Sequence, residues 1–418
     1  MYNYLMGKEL RSITYRLYPN KEQEKKMIHF LDCTRKAYNR LTEICKLHIE
    51  HHLPLPSEFD LNRMVIKIRQ RNEWMQDVHS GCFKTVAKRV YNAFMAWKKR
   101  HTEGIGFPRF KSWKRFDSFT YSTNNEFSFA GKNNEKGKRE RIRLGKIGLI
   151  KYSNPYIIEG TPKIAIVFRR RIGNHFEWNV SIAFENNGYM KDVFCIDPIA
   201  KRADVGIDLG LNNLAILSDG NIIPNDHTYK KKEMELALRN KKLSECEKGS
   251  PEYYKHLTKL SHKFKKLRNY RNDMFHKLSR YISENYRNIF MEELPVKEMM
   301  EESPKCMKKS YRDAGWGIFT KMICYKAAEA GNTVTFVNPA YTSQLCSSCG
   351  TMVPKDLSIR EHICPHCGLI MSRDLNAAIN ILNRGLRLQT ETGNSLKCHE
   401  GLTIQSADFE YLAHRPDA

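Results

Sequence analysis

Hydrophobic and polar residues alternate in some stretches of the chain and recur at helical spacing in others. Residues 12–18 (SITYRLY) alternate, which predicts a β-strand that ends at Pro19. Asn20, followed three positions later by Gln23, is a typical helix start. The hydrophobic residues that then recur at helical spacing are Met27, Phe30, Leu31, Tyr38 and Leu41. The chain is therefore predicted to begin with a strand followed by a helix.

A second stripe at helical spacing predicts another amphipathic helix further along. Its hydrophobic face consists of Phe83, Val86, Ala87, Val90, Phe94 and Trp97, and its opposite face carries Lys84, Lys88, Arg89 and residues 98–100. The basic face favours contact with phosphate groups. The alternative is a helix that only packs against a core and leaves its charges in solvent.

Residues 104–190 consist mainly of alternating segments separated by Gly and Pro. The segments IRLGKIGLIKY, PKIAIVFRR and HFEWNVSIAF predict strands of a small barrel or sheet. Within GFPRFKSWKRF, Phe107, Arg109 and Lys111 belong to a mixture of aromatic and basic residues that suits base stacking beside phosphate contact. Buried aromatic residues beside surface lysines would give the same composition.

The carboxyl-terminal half predicts a ribonuclease H-like α/β core. Its predicted elements are two strands, a turn and a third strand in 203–224, a charged helical stretch in 228–287 with a break near 249–251, strands at 288–294 and 333–337, and a helix at 374–384. The charged stretch forms either a helical pair or a coiled coil. The polar residues from Gly385 onward predict an irregular tail.

Composition and charge limit the possible partners. The 418 residues carry 70 Lys and Arg against 46 Asp and Glu, a formal net charge of +24. Self-repulsion of this size favours nucleic acid as a partner, because each neutralised phosphate also releases a counterion. The chain has no run of about 18 uncharged apolar residues and no apolar signal segment. We therefore expect a cytoplasmic protein with no membrane partner.

Three acidic residues lie in or beside apolar strands or at the start of a helix, where the presence of a carboxylate requires an explanation. Asp208 interrupts the apolar strand VGIDLG, Glu292 follows the strand residues IFM, and Asp374 begins the helix DLNAAINIL. Burying an unpaired carboxylate is costly, whereas three convergent carboxylates can hold two magnesium ions. In such a site one ion activates the attacking water and the other stabilises the leaving 3′ oxygen. The spacing alone does not establish that the three residues converge.

Each acidic residue also has a simpler interpretation. Asp208 would be explained by pairing with a basic residue elsewhere, and Asp374 by helix capping. Glu293 competes with Glu292 for the ligand position, since only one of two neighbours in a strand faces a given side. Arg373 and Asn376 lie close to Asp374 in sequence and are candidates for contacting phosphate or water.

Four cysteines are paired at the spacing of a zinc site. Cys346 and Cys349 form one C-x2-C pair, Cys364 and Cys367 form another, and Gly350 and Gly368 follow them. Four thiolates at such spacing suit one tetrahedral zinc ion, and full cysteine coordination indicates a structural ion. A redox pair is the competing interpretation. His362 and His366 are not expected to be ligands.

The sequence resembles the TnpB family of RNA-guided nucleases encoded by insertion sequences, which are related to compact type V CRISPR nucleases. The resemblance rests on motifs in the family's order: YRLYPNKEQ (15–23), RKAYNRL (35–41), FPRFKS (107–112), VGIDLGLNNLA (205–215), MEELPVKEM (291–299), YTSQLCSSCG (341–350) and SRDLNAAINIL (372–382). It covers most of the chain and is weakest in 42–80, in 117–190 and after residue 385.

By this resemblance Asp208, Glu292 and Asp374 match the family's RuvC catalytic residues, and the four cysteines match its zinc knuckles. The implied fold is a RuvC domain with a zinc-ribbon insertion, preceded by a wedge β-barrel that carries a helical recognition lobe. The implied boundaries are wedge barrel 1–19 and 104–195, recognition lobe 20–103, RuvC domain 196–340 and 372–385, zinc-knuckle insertion 341–371, and a flexible tail 386–418.

The resemblance implies an RNA-guided DNA endonuclease that cuts double-stranded target DNA beside a short adjacent motif. The guide RNA derives from the end of the transposable element, and pairing supplies the sequence specificity. The alternatives are a guided repressor without nuclease activity, a compact type V CRISPR effector and an unguided ribonuclease H-like enzyme. A monomer is expected, with a dimer as the alternative, and the protein is expected at the nucleoid when bound to DNA.

Overall fold

The computed structural model describes residues 10–122, 125–130, 139–153, 160–185, 203–356 and 358–392. The chain divides into two compact units, residues 1–189 and 190–418. The predicted boundary after residue 195 lies outside the described residues, as does the predicted tail beyond residue 392. None of the helices in the described ranges is long and apolar enough to span a membrane.

The first unit contains a seven-stranded antiparallel sheet. Its strands are β1 (Leu10–Tyr18), β2 (Ser118–Tyr121), β3 (Phe127–Ala130), β4 (Arg139–Leu144), β5 (Gly148–Ser153), β6 (Thr161–Ile172) and β7 (His175–Glu185). They pair in the order β2-β6-β7-β1-β5-β4-β3. Every second residue in most of β7 is buried, as expected for a strand with one face on a core. The predicted strands of the alternating segments are confirmed.

Helices cover this sheet. They are α1 (Lys21–Glu50), α2 (Glu58–Gln70), α3 (Glu73–Gln76) and α4 (Ser80–Arg100). The predicted start of α1 is confirmed, because the Gln23 backbone N–H donates to the Asn20 side chain and the Asn20 backbone N–H donates to Gln23. Helices and sheet share one hydrophobic core, in which the rings of Phe30 and Phe119 lie 5.3 Å apart.

A mixed five-stranded sheet forms the centre of the second unit. Its strands are β8 (Ala203–Leu209), β9 (Asn213–Leu217), β10 (Ile222–Pro224), β11 (Tyr286–Glu292) and β12 (Thr333–Val337). They pair in the order β10-β9-β8-β11-β12. Because β8, β11 and β12 are parallel, their carboxyl ends meet at one edge of the sheet. A separate hairpin pairs β13 (Glu361–Ile363) with β14 (Ile370–Ser372).

The remaining helices are α5 (Thr228–Ser244), α6 (Pro251–Asn285), α7 (Val296–Glu302), α8 (Lys305–Ala314), α9 (Trp316–Glu329) and α10 (Arg373–Thr392). The predicted break between α5 and α6 is confirmed, with Ser250 capping α6 through the N–H of Tyr253. The predicted end of the last helix is wrong, since α10 continues to Thr392. The sequence pattern stops at Gly385, but Leu386 and Leu388 still pack beside Phe290, so burial extends the helix.

The two faces of the second sheet are covered by different helices. Val205 and Ile207 of β8 pack with residues of α6 and α9. Gly206 and Phe290 face α10 instead. Side chains alternate between faces along a strand, so Asp208 lies on the face that α10 covers.

Candidate active site and zinc site

Two of the predicted acidic residues end neighbouring parallel strands. Asp208 is the penultimate residue of β8, and Glu292 is the last residue of β11. Met291 is in register with Ile207, which places Glu292 level with Asp208. Both residues share a face of the sheet with the residues that contact α10.

The third acidic residue reaches this edge because α10 packs very closely on β8. A Cβ atom at Gly206 would lie 2.1 Å from the carbonyl oxygen of Ala378 and 2.6 Å from the backbone nitrogen of Leu382. Only glycine permits this approach. Asp374 is the second residue of α10, so the close packing brings it to the carboxyl ends of the strands.

The three carboxylates lie close enough for the charges of Glu292 and Asp374 to act on Asp208. Burial raises the pKa of Asp208 well above its usual value, and repulsion from Glu292 and Asp374 raises it further, with only Arg373 opposing. Burial also raises the pKa of Glu292, although a hydrogen bond from Thr342 and the charge of Arg384 each lower that pKa in part. A partly buried group of carboxylate oxygens suits a hard divalent cation.

The structure distinguishes Glu292 from Glu293 and gives Asp374 two basic partners. Glu293 is exposed and its N–H donates to the carbonyl of Val337, so Glu292 is the residue that faces Asp208. Asp374 lies inside the first turn of α10, where its carboxylate is 3.0 Å from Arg373 and 3.8 Å from Arg360. No sequence pattern indicated Arg360 as a site residue. It immediately precedes β13, and only the fold brings that position close to Asp374.

The four cysteines form a cluster of the size that zinc requires. Their sulphur atoms all lie within 4.8 Å of one another, and the Cys346–Cys367 and Cys349–Cys364 pairs are each 3.6 Å apart. Tetrahedral zinc with bonds of about 2.3 Å places sulphur atoms about 3.8 Å apart. The residues therefore fit one structural zinc ion.

Backbone geometry forms the two knuckles around this cluster. Gly350 and Gly368 have φ angles of 74° and 76°, a region that residues with a side chain rarely adopt. The N–H of each glycine donates to the carbonyl of the first cysteine in its pair. Neither His362 nor His366 belongs to the ligand cluster.

Two candidates for nucleic-acid contact near Asp374 are engaged within the protein. The Asn376 side chain is fully buried, where it accepts from the N–H of Ser347 at 2.9 Å and donates to the carbonyl of Leu345 at 2.7 Å. Arg373 pairs with Asp374 and donates to the carbonyl of Ile359. The structure thus gives Asn376 a role in holding the first knuckle.

The candidates on α4 differ in exposure. Lys84 and Lys88 are exposed on the side opposite the buried stripe of the helix. Arg89 is only partly exposed, donates to the carbonyl of Ser118 and lies 4.9 Å from the ring of Phe116. The side chain of Arg89 therefore packs within the first unit, whereas the side chains of Lys84 and Lys88 are exposed to solvent.

The candidates in residues 106–116 lie on a segment that is fixed to α1. The Asn39 side chain donates to the carbonyl of Lys111 at 3.0 Å and accepts from its N–H at 2.7 Å. Phe107 packs edge-on against Trp97 at 4.8 Å, and Arg109 is exposed. Phe110 is 51% exposed and has the ammonium group of Lys46 4.2 Å from its ring centre. Sequence reasoning did not single out Lys46, which is distant in the chain.

Three protein-family models match successive parts of the chain. They are "Helix-turn-helix domain" at residues 6–52, "Probable transposase" at residues 198–303, and "Cas12f1-like, TNB domain" at residues 316–381. The first matched segment folds here as β1 and the single long helix α1. The third contains all four cysteines and Asp374.

Two curated relatives match along nearly their whole length. "Putative RNA-guided DNA endonuclease InsQ" of Escherichia coli (strain K12) is 27% identical over 90% of this chain and 93% of its own. "Putative RNA-guided DNA endonuclease" of Streptomyces pristinaespiralis is 26% identical over 91% of both. The fold is similar to that in a cryo-EM structure of a Cas12f1–sgRNA–target DNA complex, with a TM-score of 0.58 and 14% identity over 90% of this chain and 99% of that one. The ordered family models and these relatives confirm the resemblance of the chain to the TnpB family.

Proposed function

We propose that this protein is an RNA-guided DNA endonuclease of a transposable element. The observation that supports the proposal is the placement of Asp208 and Glu292 at the carboxyl ends of neighbouring parallel strands, with Asp374 at the start of the helix that packs on β8. The names of the two full-length relatives support the same activity. The presence of all three carboxylates favours a nuclease over a repressor that only binds DNA.

The second unit supports a ribonuclease H-like (RuvC) fold for the catalytic part. The order of strands and helices is the one that the sequence predicted, and Asp208 and Glu292 lie at the carboxyl ends of the parallel strands β8 and β11. The first unit, an antiparallel sheet with helices inserted between β1 and β2, corresponds in this proposal to the wedge barrel and recognition lobe.

Asp208, Glu292 and Asp374 are the residues that would hold two magnesium ions. Bound there, magnesium supplies an activated water and stabilises the leaving 3′ oxygen. Arg360, exposed beside Asp374, is placed to bind the phosphate group that is cut. Bound cations would relieve the repulsion that Glu292 and Asp374 exert on Asp208, which favours a metal site.

The nucleic-acid partners in this proposal are a guide RNA from the end of the element and double-stranded target DNA. The net charge of +24 provides the attraction to phosphate. In the first unit, Phe110 with Lys46 and exposed Arg109 form a surface where a base can stack beside a bound phosphate. Lys84 and Lys88 provide further accessible charges.

Cleavage of DNA that matches the bound RNA tests the proposal. The protein would be purified with its RNA, the RNA sequenced, and a matching duplex library with randomised flanking sequence offered with magnesium. We expect cleavage that disappears in Asp208→Ala, Glu292→Gln and Asp374→Asn, while Glu293→Gln cleaves as the wild type does. Guided binding without cleavage in the wild type would overturn the endonuclease proposal, and cleavage by protein stripped of RNA would overturn the guided one.

A further inference from the structure

Glu292 is held by a residue from the segment that leads into the zinc knuckles. The Thr342 hydroxyl donates to the Glu292 carboxylate and also lies 3.1 Å from the carbonyl of Pro339. Thr342 is only 4% exposed, so water does not compete for this hydroxyl. The hydrogen bond therefore fixes the position of one carboxylate oxygen of Glu292 in a buried environment.

A row of polar side chains on α10 holds the backbone around Thr342. Asn380 donates to the carbonyls of Thr342 and Leu345, at 2.8 and 2.7 Å. Arg384, one helical turn further, donates to the carbonyls of Asn338 and Ala340. Residues four apart lie on the same side of a helix, so one side of α10 binds the whole segment from the end of β12 to the first knuckle.

The segment that α10 binds contains a strained backbone conformation at Tyr341. Tyr341, immediately before Thr342, has a φ angle of 63°, and its side chain is 60% exposed and does not hold the turn. A residue with a side chain in this region costs about 1–3 kcal/mol, and the conformation persists only where the surroundings fix it. The hydrogen bonds from α10 to the carbonyls on either side of Tyr341 are those surroundings.

We propose that Thr342 is a positioning residue for Glu292, and that α10 places two of the three carboxylates: Asp374 directly, and Glu292 through the bound segment and Thr342. The proposal rests on the metal site of the proposed function. A group that orients a metal-binding carboxylate sets the affinity for the ion, and its removal typically costs 10–100-fold. Asn380, which binds the backbone of the segment, then acts on the metal site without contacting a metal-binding carboxylate.

Manganese binding by the full-length protein tests this role separately from cleavage. Mn²⁺ takes the same oxygen ligands as Mg²⁺ and is detected by electron paramagnetic resonance. Asp208→Ala, purified with the same RNA, gives the background from ions bound to RNA. We expect Thr342→Val to raise the half-saturating Mn²⁺ concentration by about 10–100-fold, and Thr342→Ser, which keeps the hydroxyl, to restore the wild-type value.

Two further variants separate positioning from a general loss of stability. Thr333→Val removes a hydroxyl that donates to Asn288 at the opposite end of the same strand pair, and should leave Mn²⁺ binding unchanged. Asn380→Ala keeps the Thr342 hydroxyl but releases its backbone, and should raise the half-saturating concentration less than Thr342→Val does. The zinc content of every variant should equal that of the wild type.

The outcomes distinguish this inference from the proposed function. If the wild type binds no more Mn²⁺ than Asp208→Ala, the metal site itself is wrong and the proposed function is overturned. If the wild type exceeds that background and Thr342→Val binds with the wild-type affinity, only the positioning role is overturned. Equal weakening in Thr342→Val and Thr342→Ser would also overturn it, because the serine hydroxyl can make the same hydrogen bond.

Discussion

Adding one methyl group at Gly206 should disable the nuclease without touching a catalytic residue. The Cβ of an alanine would lie 2.1 Å from the Ala378 carbonyl oxygen, 0.9 Å short of the 3.0 Å below which such contacts essentially do not occur. The obstructing atoms belong to the backbone of α10, so no change of side-chain rotamer relieves the contact. The helix that carries Asp374 must move away from β8 by about that distance.

The expected magnitudes follow from this displacement. Misplacement of a catalytic group by about 1 Å can lower the rate about 100-fold, and overpacking of a close contact typically costs about 1–3 kcal/mol of stability. We therefore expect Gly206→Ala to fold with a lower Tm and to cut guide-matched DNA about 100-fold more slowly, while its binding to guide RNA is unchanged.

The assay is single-turnover cleavage of a matched duplex, with a thermal melt of each protein. Gly317→Ala is the matched control, because Gly317 lies in α9 of the same unit and an added Cβ meets nothing within 4 Å. That substitution should leave cleavage unchanged. Wild-type cleavage and Tm in Gly206→Ala would refute the reasoning, because they would mean that α10 does not need this contact to place Asp374.

Three other predictions concern charge, zinc and stacking. Because burial and like charges raise the pKa of Asp208 in the folded protein, its ionisation destabilises the metal-free fold once the pH rises above the unfolded value of about 4. Asp208→Asn should therefore have a higher Tm than the wild type at pH 7 in buffer that contains zinc but no magnesium. This difference in Tm should vanish below pH 4. Equal Tm values at pH 7 would contradict the prediction. Substituting Cys364 with Ser should lower the zinc content measured by mass spectrometry and expose residues 343–372 to protease, whereas Cys246→Ser, which alters a thiol outside the cluster, should do neither. Phe110→Ala should weaken nucleic-acid binding by about 1–3 kcal/mol in a filter-binding assay, whereas Phe110→Trp should retain it, and equal binding by both would exclude stacking at this position.

The parts of the site that could be predicted from sequence are those with a local pattern. Asp208 interrupts an apolar strand, and the cysteine pairs have the spacing of a zinc knuckle, so neither depends on distant residues. The choice of Glu292 over Glu293 needed the register of β11, which a sequence pattern leaves open. The order of strands and helices in the second unit could also be predicted, because its hydrophobic residues recur with clear strand or helix periodicity.

The parts that could not be predicted depend on segments that meet only in the fold. Thr342 acts on a residue of β11, and Asn380 acts on the backbone of Thr342. Asn376 lies next to Asp374 in a basic and polar stretch, which suggested a ligand contact, but tertiary packing buries it. The end of α10 was placed too early because Gly385 usually marks a helix terminus, whereas here it makes room for the ring of Phe290.

The position of α10 in the chain sets the order in which the nuclease centre can be completed. Asp208 and Glu292 are synthesised well before Asp374, and the ribosome adds roughly 5–20 residues per second. For a period on the order of ten seconds the nascent chain has a sheet with two carboxylates and an uncovered face. On the proposed function, each nascent chain therefore lacks its third carboxylate until translation has passed the start of α10.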